Sequence, residues 1–148
     1  MRKKKNYVFA GEYYEKAGLE DKAKEMYEKA AEEYEKMWLL DIAAEYYEKV
    51  GNMEKAKEMY EKALEKYKEN WDYGNAAKCC EELGLNDEAI KLWELEGDKK
   101  MKERDYLEIT ECYEKARNMK KAKEAYWKQI EKDKENMDIF FRFLKNLS

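Results

Sequence analysis

Apolar residues in this chain recur three and four positions apart, and the whole series then repeats after 33 residues. The stretch EYYEKAGLEDKAKEMYEKA at 12–30 returns almost unchanged as EYYEKVGNMEKAKEMYEKA at 45–63. Sliding further aligns four copies, with Ala23, Ala56, Ala89 and Ala122 in one column. Other columns hold Tyr7, Leu40, Tyr73 and Tyr106; Ala10, Ala43, Ala76 and Ile109; Gly11, Ala44, Ala77 and Thr110; and Tyr14, Tyr47, Cys80 and Tyr113. Within a copy these four columns are spaced 3, 1 and 3 residues apart, which puts them on one stripe of a helix. Glycine tolerates the left-handed backbone that ends many helices, so Gly18, Gly51 and Gly84 predict its stop, a signal that fails only at Arg117. A second stripe follows, as in Ala56, Met59, Tyr60 and Ala63, and it carries the aromatic column Tyr27, Tyr60, Trp93 and Tyr126. Each copy thus predicts a helical hairpin, with alanines where its helices approach and a large aromatic filling the space beside them.

A single hairpin cannot bury its own apolar stripe, so the copies must stack and lend each other a wall. The expected fold is all-α: one α-solenoid domain over 1–148, with hairpins at about 4–36, 37–69, 70–102 and 103–135. Residues 136–147, ENMDIFFRFLKN, predict a separate C-terminal capping helix, whose Ile139, Phe140, Phe143, Leu144 and Leu147 share a face that covers the last hairpin. Phe141 points elsewhere, either as a spare core residue, the favoured reading, or as a contact for a second chain.

Composition narrows the function. Charged residues make up 45% of the chain and Pro is absent, which leaves little material for linkers. Much of the charge forms Glu-first i,i+4 pairs, such as Glu12 with Lys16, Glu25 with Lys29, Glu45 with Lys49, Glu58 with Lys62, Glu111 with Lys115 and Glu124 with Lys128, which support helix. The excess of Lys and Glu over Arg and Gln resembles thermophile composition. A net charge of −4 speaks against a general nucleic-acid binder, whose phosphate contacts need a basic face. No apolar run reaches membrane-spanning length, and the basic start lacks the apolar stretch of a signal peptide, so the expected location is cytoplasmic.

Catalysis finds few groups to use. His is absent, and Ser148 and Thr110 are isolated, so no general base or nucleophile pair is evident. Cys79, Cys80 and Cys112 stand in columns that elsewhere hold Tyr13, Tyr46, Tyr14, Tyr47 and Tyr113, which reads as packing rather than metal binding or nucleophilic chemistry. No phosphate-binding glycine loop appears. The chain is therefore expected to be no enzyme and to need no cofactor or metal.

The columns Leu40, Ala43, Ala44, Tyr47, Gly51, Ala56, Tyr60 and Ala63 resemble the tetratricopeptide repeat, over about residues 4–135. Two departures are a period of 33 where the family's is usually 34, and the missing proline after the second helix. Long second helices, running through AAEEYEKMW and ALEKYKENW, also resemble the soluble attachment proteins of membrane fusion. The resemblance implies a protein-interaction scaffold whose first helices line a concave peptide groove. Here that face carries Lys5, Val8, Glu12 and Glu15; Trp38, Asp41, Glu45 and Glu48; Trp71, Gly74, Lys78 and Glu81; and Arg104, Leu107, Glu111 and Glu114.

Acidic residues dominate that lining, so the expected partner is a basic or amphipathic protein segment. Family members that grip a C-terminal carboxylate use basic and amide residues at slots held here by Val8, Glu12, Ile42, Trp71 and Asn75. One repeat later those slots hold Asp41, Glu45, Asn75, Arg104 and Glu108. Both sets reverse the charge such a clamp requires. Trp38 and Trp71 are either anchors for the segment or, the favoured reading, packing residues where hairpins meet. Two rival functions remain: nucleic-acid binding through the basic arm Arg2, Lys3, Lys4 and Lys5 with Arg104, and a structural homo-oligomer using Phe141.

Overall fold

The computed structural model describes residues 6–147, with Leu147 placed only as a helical residue. Among them eight α-helices succeed one another: α1 (Tyr7–Lys16), α2 (Glu20–Lys36), α3 (Leu40–Lys49), α4 (Met53–Glu69), α5 (Tyr73–Glu82), α6 (Asn86–Lys100), α7 (Tyr106–Lys115) and α8 (Met119–Leu147). Each helix packs mainly on its neighbours in sequence, so four hairpins stack as an α-solenoid.

The corners are of two kinds, and both use left-handed backbone. Gly18, Gly51 and Gly84 sit at φ 72°, 84° and 72°, as expected of a residue without Cβ, and Arg117 adopts φ 55° in the same place. Trp38, Trp71 and Arg104 take φ 59°, 58° and 59° after the second helices. There the next amide reaches back to close the helix, as Leu39 N–H does to Tyr34 O at 3.0 Å. A lysine 28 residues on also donates to each of these three carbonyls: Lys66 to Trp38, Lys99 to Trp71 and Lys132 to Arg104, at 2.9, 2.8 and 3.2 Å. At the helix starts, Asn6, Asn52, Asp72 and Asp105 accept from the backbone N–H three residues on, which satisfies a donor the helix itself leaves unpaired.

Small columns form the seams. Ala23, Ala56, Ala89 and Ala122 are all buried, as are Ala43, Ala44, Ala76 and Ala77. In the first hairpin the helices approach closely, since a Cβ on Gly11 would fall 2.5 Å from the Tyr27 ring. Tyr27, Tyr60 and Trp93 are buried in their column, whereas Tyr126, the fourth member, is 57% exposed.

Residues 136–147 do not form a separate capping helix. They continue α8, which runs unbroken for 29 residues and projects beyond the hairpin. No glycine or proline interrupts KDKENMD, so nothing local stops the helix there. Ile139, Phe140, Phe143 and Leu144 consequently cover nothing and are exposed, as is Phe141, which is no core residue; the Leu147 side chain lies outside the described residues. Among the surface pairs, Glu25–Lys29, Glu58–Lys62 and Glu111–Lys115 form at 2.5, 2.5 and 3.0 Å. Lys49, however, reaches back to Glu15 of the preceding hairpin at 3.1 Å, because neighbouring repeats bring that carboxylate beside it.

Candidate functional site

The first helices α3 and α5 lie side by side, and their facing residues enclose a cavity of about 350 Å³. Asp41, Glu45 and Glu48 reach it from α3, and Lys78 and Glu81 from α5, so five of the residues expected in the groove converge here. Lys78 also lines a second hollow, of about 320 Å³, with Gly74 and with Glu111 from α7. Val8 lies apart from both, between α1 and α2 beside Ala30 and Met37.

Most of these carboxylates already have a task inside the fold. Asp41 accepts the Tyr67 hydroxyl at 2.8 Å, Glu48 that of Tyr60 at 3.3 Å, and Glu81 the Trp93 indole N–H at 2.7 Å. Glu15 is held likewise by Tyr27 and Lys49. Glu45 differs. It is exposed, and no hydrogen bond to it is formed within the protein's described contacts of this cavity; partial burial, then the negative charges of Asp41, Glu48 and Glu82, push its carboxyl above the usual range. A cation placed there would relieve that repulsion.

The tryptophans do not join this cluster. Trp38 and Trp71 sit at the corners between hairpins and are 65% and 68% exposed, so they are not buried packing residues. Trp38 lines a hollow with Glu32 and Lys36 of α2 and Lys55 and Lys62 of α4, on the side of the second helices. Trp71 packs edge-on against Tyr73. Arg104 is an exposed corner residue, and Leu107, Glu111 and Glu114 are exposed on α7; Glu12 is half-buried on α1.

Four residues of the α3–α5 cavity lie outside the groove lining expected from sequence: Tyr60, Asn75, Cys79 and Glu82. Glu82 carries a usable signal, because its column reads Lys16, Lys49, Glu82 and Lys115, a charge reversal in the one repeat that meets the acidic cluster. Cys79 also lines the cavity, but burial pushes its thiol up to about 12, so it stays protonated and unreactive near neutral pH. Burial does the same to Cys112, at about 11. Among the described residues no group of three His, Cys, Asp or Glu is placed to hold a metal ion, and no helix is long and apolar enough to cross a membrane.

Stacked helical hairpins with small residues at their seams form the solenoid that carries this cavity. Residues 5–37 and 39–69 match the sequence model of the tetratricopeptide repeat. No curated protein matches the chain. Tetratricopeptide repeats generally mediate contacts between proteins and are typically non-catalytic, so a protein partner is the class of ligand the match implies. The third and fourth hairpins continue the same stack beyond the matched repeats.

Proposed function

We propose that this chain is a non-catalytic interaction scaffold that holds a basic or amphipathic segment of a protein partner against α3 and α5. The observation that carries the reading is Glu45. It stands beside Asp41, Glu48 and Glu82 in the α3–α5 cavity; partial burial first, and those negative charges second, raise its proton affinity, and the charges make the spot favourable for a Lys or Arg side chain. Asp41, Glu48 and Glu81 are pinned by aromatic partners, so the negative surface is preorganised rather than assembled on binding. The tryptophan corners are no part of this groove, and the long second helices alone are too general to place the chain among attachment proteins. A cytoplasmic setting belongs to the same reading, through its three buried free thiols.

The test uses a fluorescent Lys-rich amphipathic peptide and an acidic peptide of equal length, titrated with the wild type and with Glu45→Lys, Glu82→Lys. Wild type is expected to prefer the basic peptide, and the variant to lose at least tenfold in affinity while keeping its helicity, because like charges now face each other. Equal binding of the basic peptide by both proteins would overturn the assignment.

A further inference from the structure

Helix α8 carries an apolar seam that its own hairpin does not use. Tyr126, Ile130, Asp133, Met137, Phe140 and Leu144 are separated by 4, 3, 4, 3 and 4 residues, the spacing by which one helix packs along another over several turns. All but Asp133 are apolar. Trp127, Phe141 and Phe143 flank the seam on either side, where coiled helices ordinarily carry charge, and all three are more than half exposed. The charged residues Lys128, Glu131, Glu135, Arg142 and Lys145 lie round the back.

The position of the seam says what kind of object fits it. Tyr126 belongs to the column of Tyr27, Tyr60 and Trp93, and Ile130 to that of Ala31, Leu64 and Gly97. In α2, α4 and α6 these residues are buried, and α3, α5 and α7 pack antiparallel on those helices. Tyr27, for example, stacks on Tyr46 of α3 at 5.8 Å. Along α8 no helix follows among the described residues, and the corresponding face stands open.

From this geometry we infer that α8 is a dimerisation helix: the projecting half of α8 from a second copy lies antiparallel on this face, in the place a following helix would take. A two-fold axis beside Glu135 brings Tyr126 opposite Leu144 of the second copy and Ile130 opposite its Phe140, and flanks the pair with Trp127 against Phe141. Such an isologous contact closes at two chains. Asp133 sets the direction. In a parallel pair it would face its own copy within an apolar seam, whereas antiparallel it meets Met137 with Lys134 of the second copy in reach. Size agrees as well. Seven of the eight apolar side chains of the seam and its flanks, all but the half-buried Ile130, each expose on the order of 100 Å² and offer roughly 700 Å² per chain, near the ~800 Å² typical of a stable interface. Glu45 and its neighbours lie on α3 and α5, so the pairing is independent of the groove.

Sedimentation equilibrium of the full chain, with a subunit mass of 18.0 kDa, should give twice that mass for wild type and the single mass for Phe140→Glu, Leu144→Glu. Both side chains are exposed in the single chain, so unchanged helicity of the variant by circular dichroism is expected alongside. Direction is read from Tyr126→Cys and Leu144→Cys, made separately. Under mild oxidation a mixture of the two should form a covalent dimer and neither alone should, since the buried native thiols do not react. A monomeric wild type at high concentration, a dimer that survives the two glutamates, or self-linking of Leu144→Cys would each overturn the proposal.

Discussion

Tyr27 donates its hydroxyl hydrogen bond to Glu15, twelve residues earlier on the facing helix, at 2.6 Å. Tyr60 to Glu48 and Trp93 to Glu81 repeat the relationship in the next two hairpins, at 3.3 and 2.7 Å. Each ties the buried aromatic of a second helix to a carboxylate on the first. Tyr126, at the same step from Glu114, is exposed instead, since among the described residues no helix packs on this face of the fourth hairpin.

The tyrosine network predicts alkaline unfolding. Burial first, and a neighbouring carboxylate second, raise the hydroxyl pKa of Tyr47, Tyr60, Tyr67 and Tyr113, the last to about 12. A raised folded pKa means that these groups contribute fully below the unfolded value near 10 and lose that contribution as pH climbs toward the folded one. Helicity should therefore fall between about pH 10 and 12, together with the appearance of tyrosinate absorbance. Tyr47→Phe, which leaves a buried ring without its 2.8 Å bond to Glu35, should cost about 1–2 kcal/mol and lower Tm by about 3–6 °C at neutral pH. Unchanged Tm would show that the bond contributes nothing.

A second prediction concerns close approach. Gly97 on α6 leaves space for Tyr113 of α7, and a Cβ there would fall 2.7 Å from its ring. Gly97→Ala should destabilise by about 1–3 kcal/mol in urea unfolding, through overpacking at the α6–α7 seam, despite the better helix propensity of alanine. Gly74→Ala is the control, because its new Cβ would meet Glu96 at an ordinary 3.5 Å. Equal stability of the two variants would refute the steric account.

Affinity for a basic segment should depend on acid in a particular way. Glu45, its carboxyl pushed up by partial burial and by Asp41, Glu48 and Glu82, becomes protonated at higher pH than an ordinary glutamate. Binding of the Lys-rich peptide, followed by titration calorimetry, is expected to weaken as pH falls through that raised value. In Glu45→Gln the drop should begin only at lower pH, and identical profiles for the two proteins would contradict the proposed role of this side chain.

Much of the architecture was legible because its causes are local. Spacings of three and four define helices, and glycine at 18, 51 and 84 defines their ends, whatever lies elsewhere in the chain. The second set of corners was not legible, since Trp38, Trp71 and Arg104 adopt left-handed backbone without being glycine, held there by closing hydrogen bonds and by lysines from the following hairpin. Only part of the groove could be read. Asp41, Glu45, Glu48, Lys78 and Glu81 do meet, but the sequence could not separate carboxylates already engaged by aromatics from the one that stands free.

By itself, then, the chain's periodicity determined the repeat, the hairpins and the residues at their seams, because helix faces and caps depend on a few neighbouring positions. Packing between hairpins decided the rest. It turned Glu15, Glu48 and Glu81 into supports for buried rings, moved Trp38 to the side of the second helices, and left α8 as one long rod with its apolar side uncovered. Those outcomes turn on which surfaces face each other across helices, a relation between residues distant along the chain that no local spacing encodes.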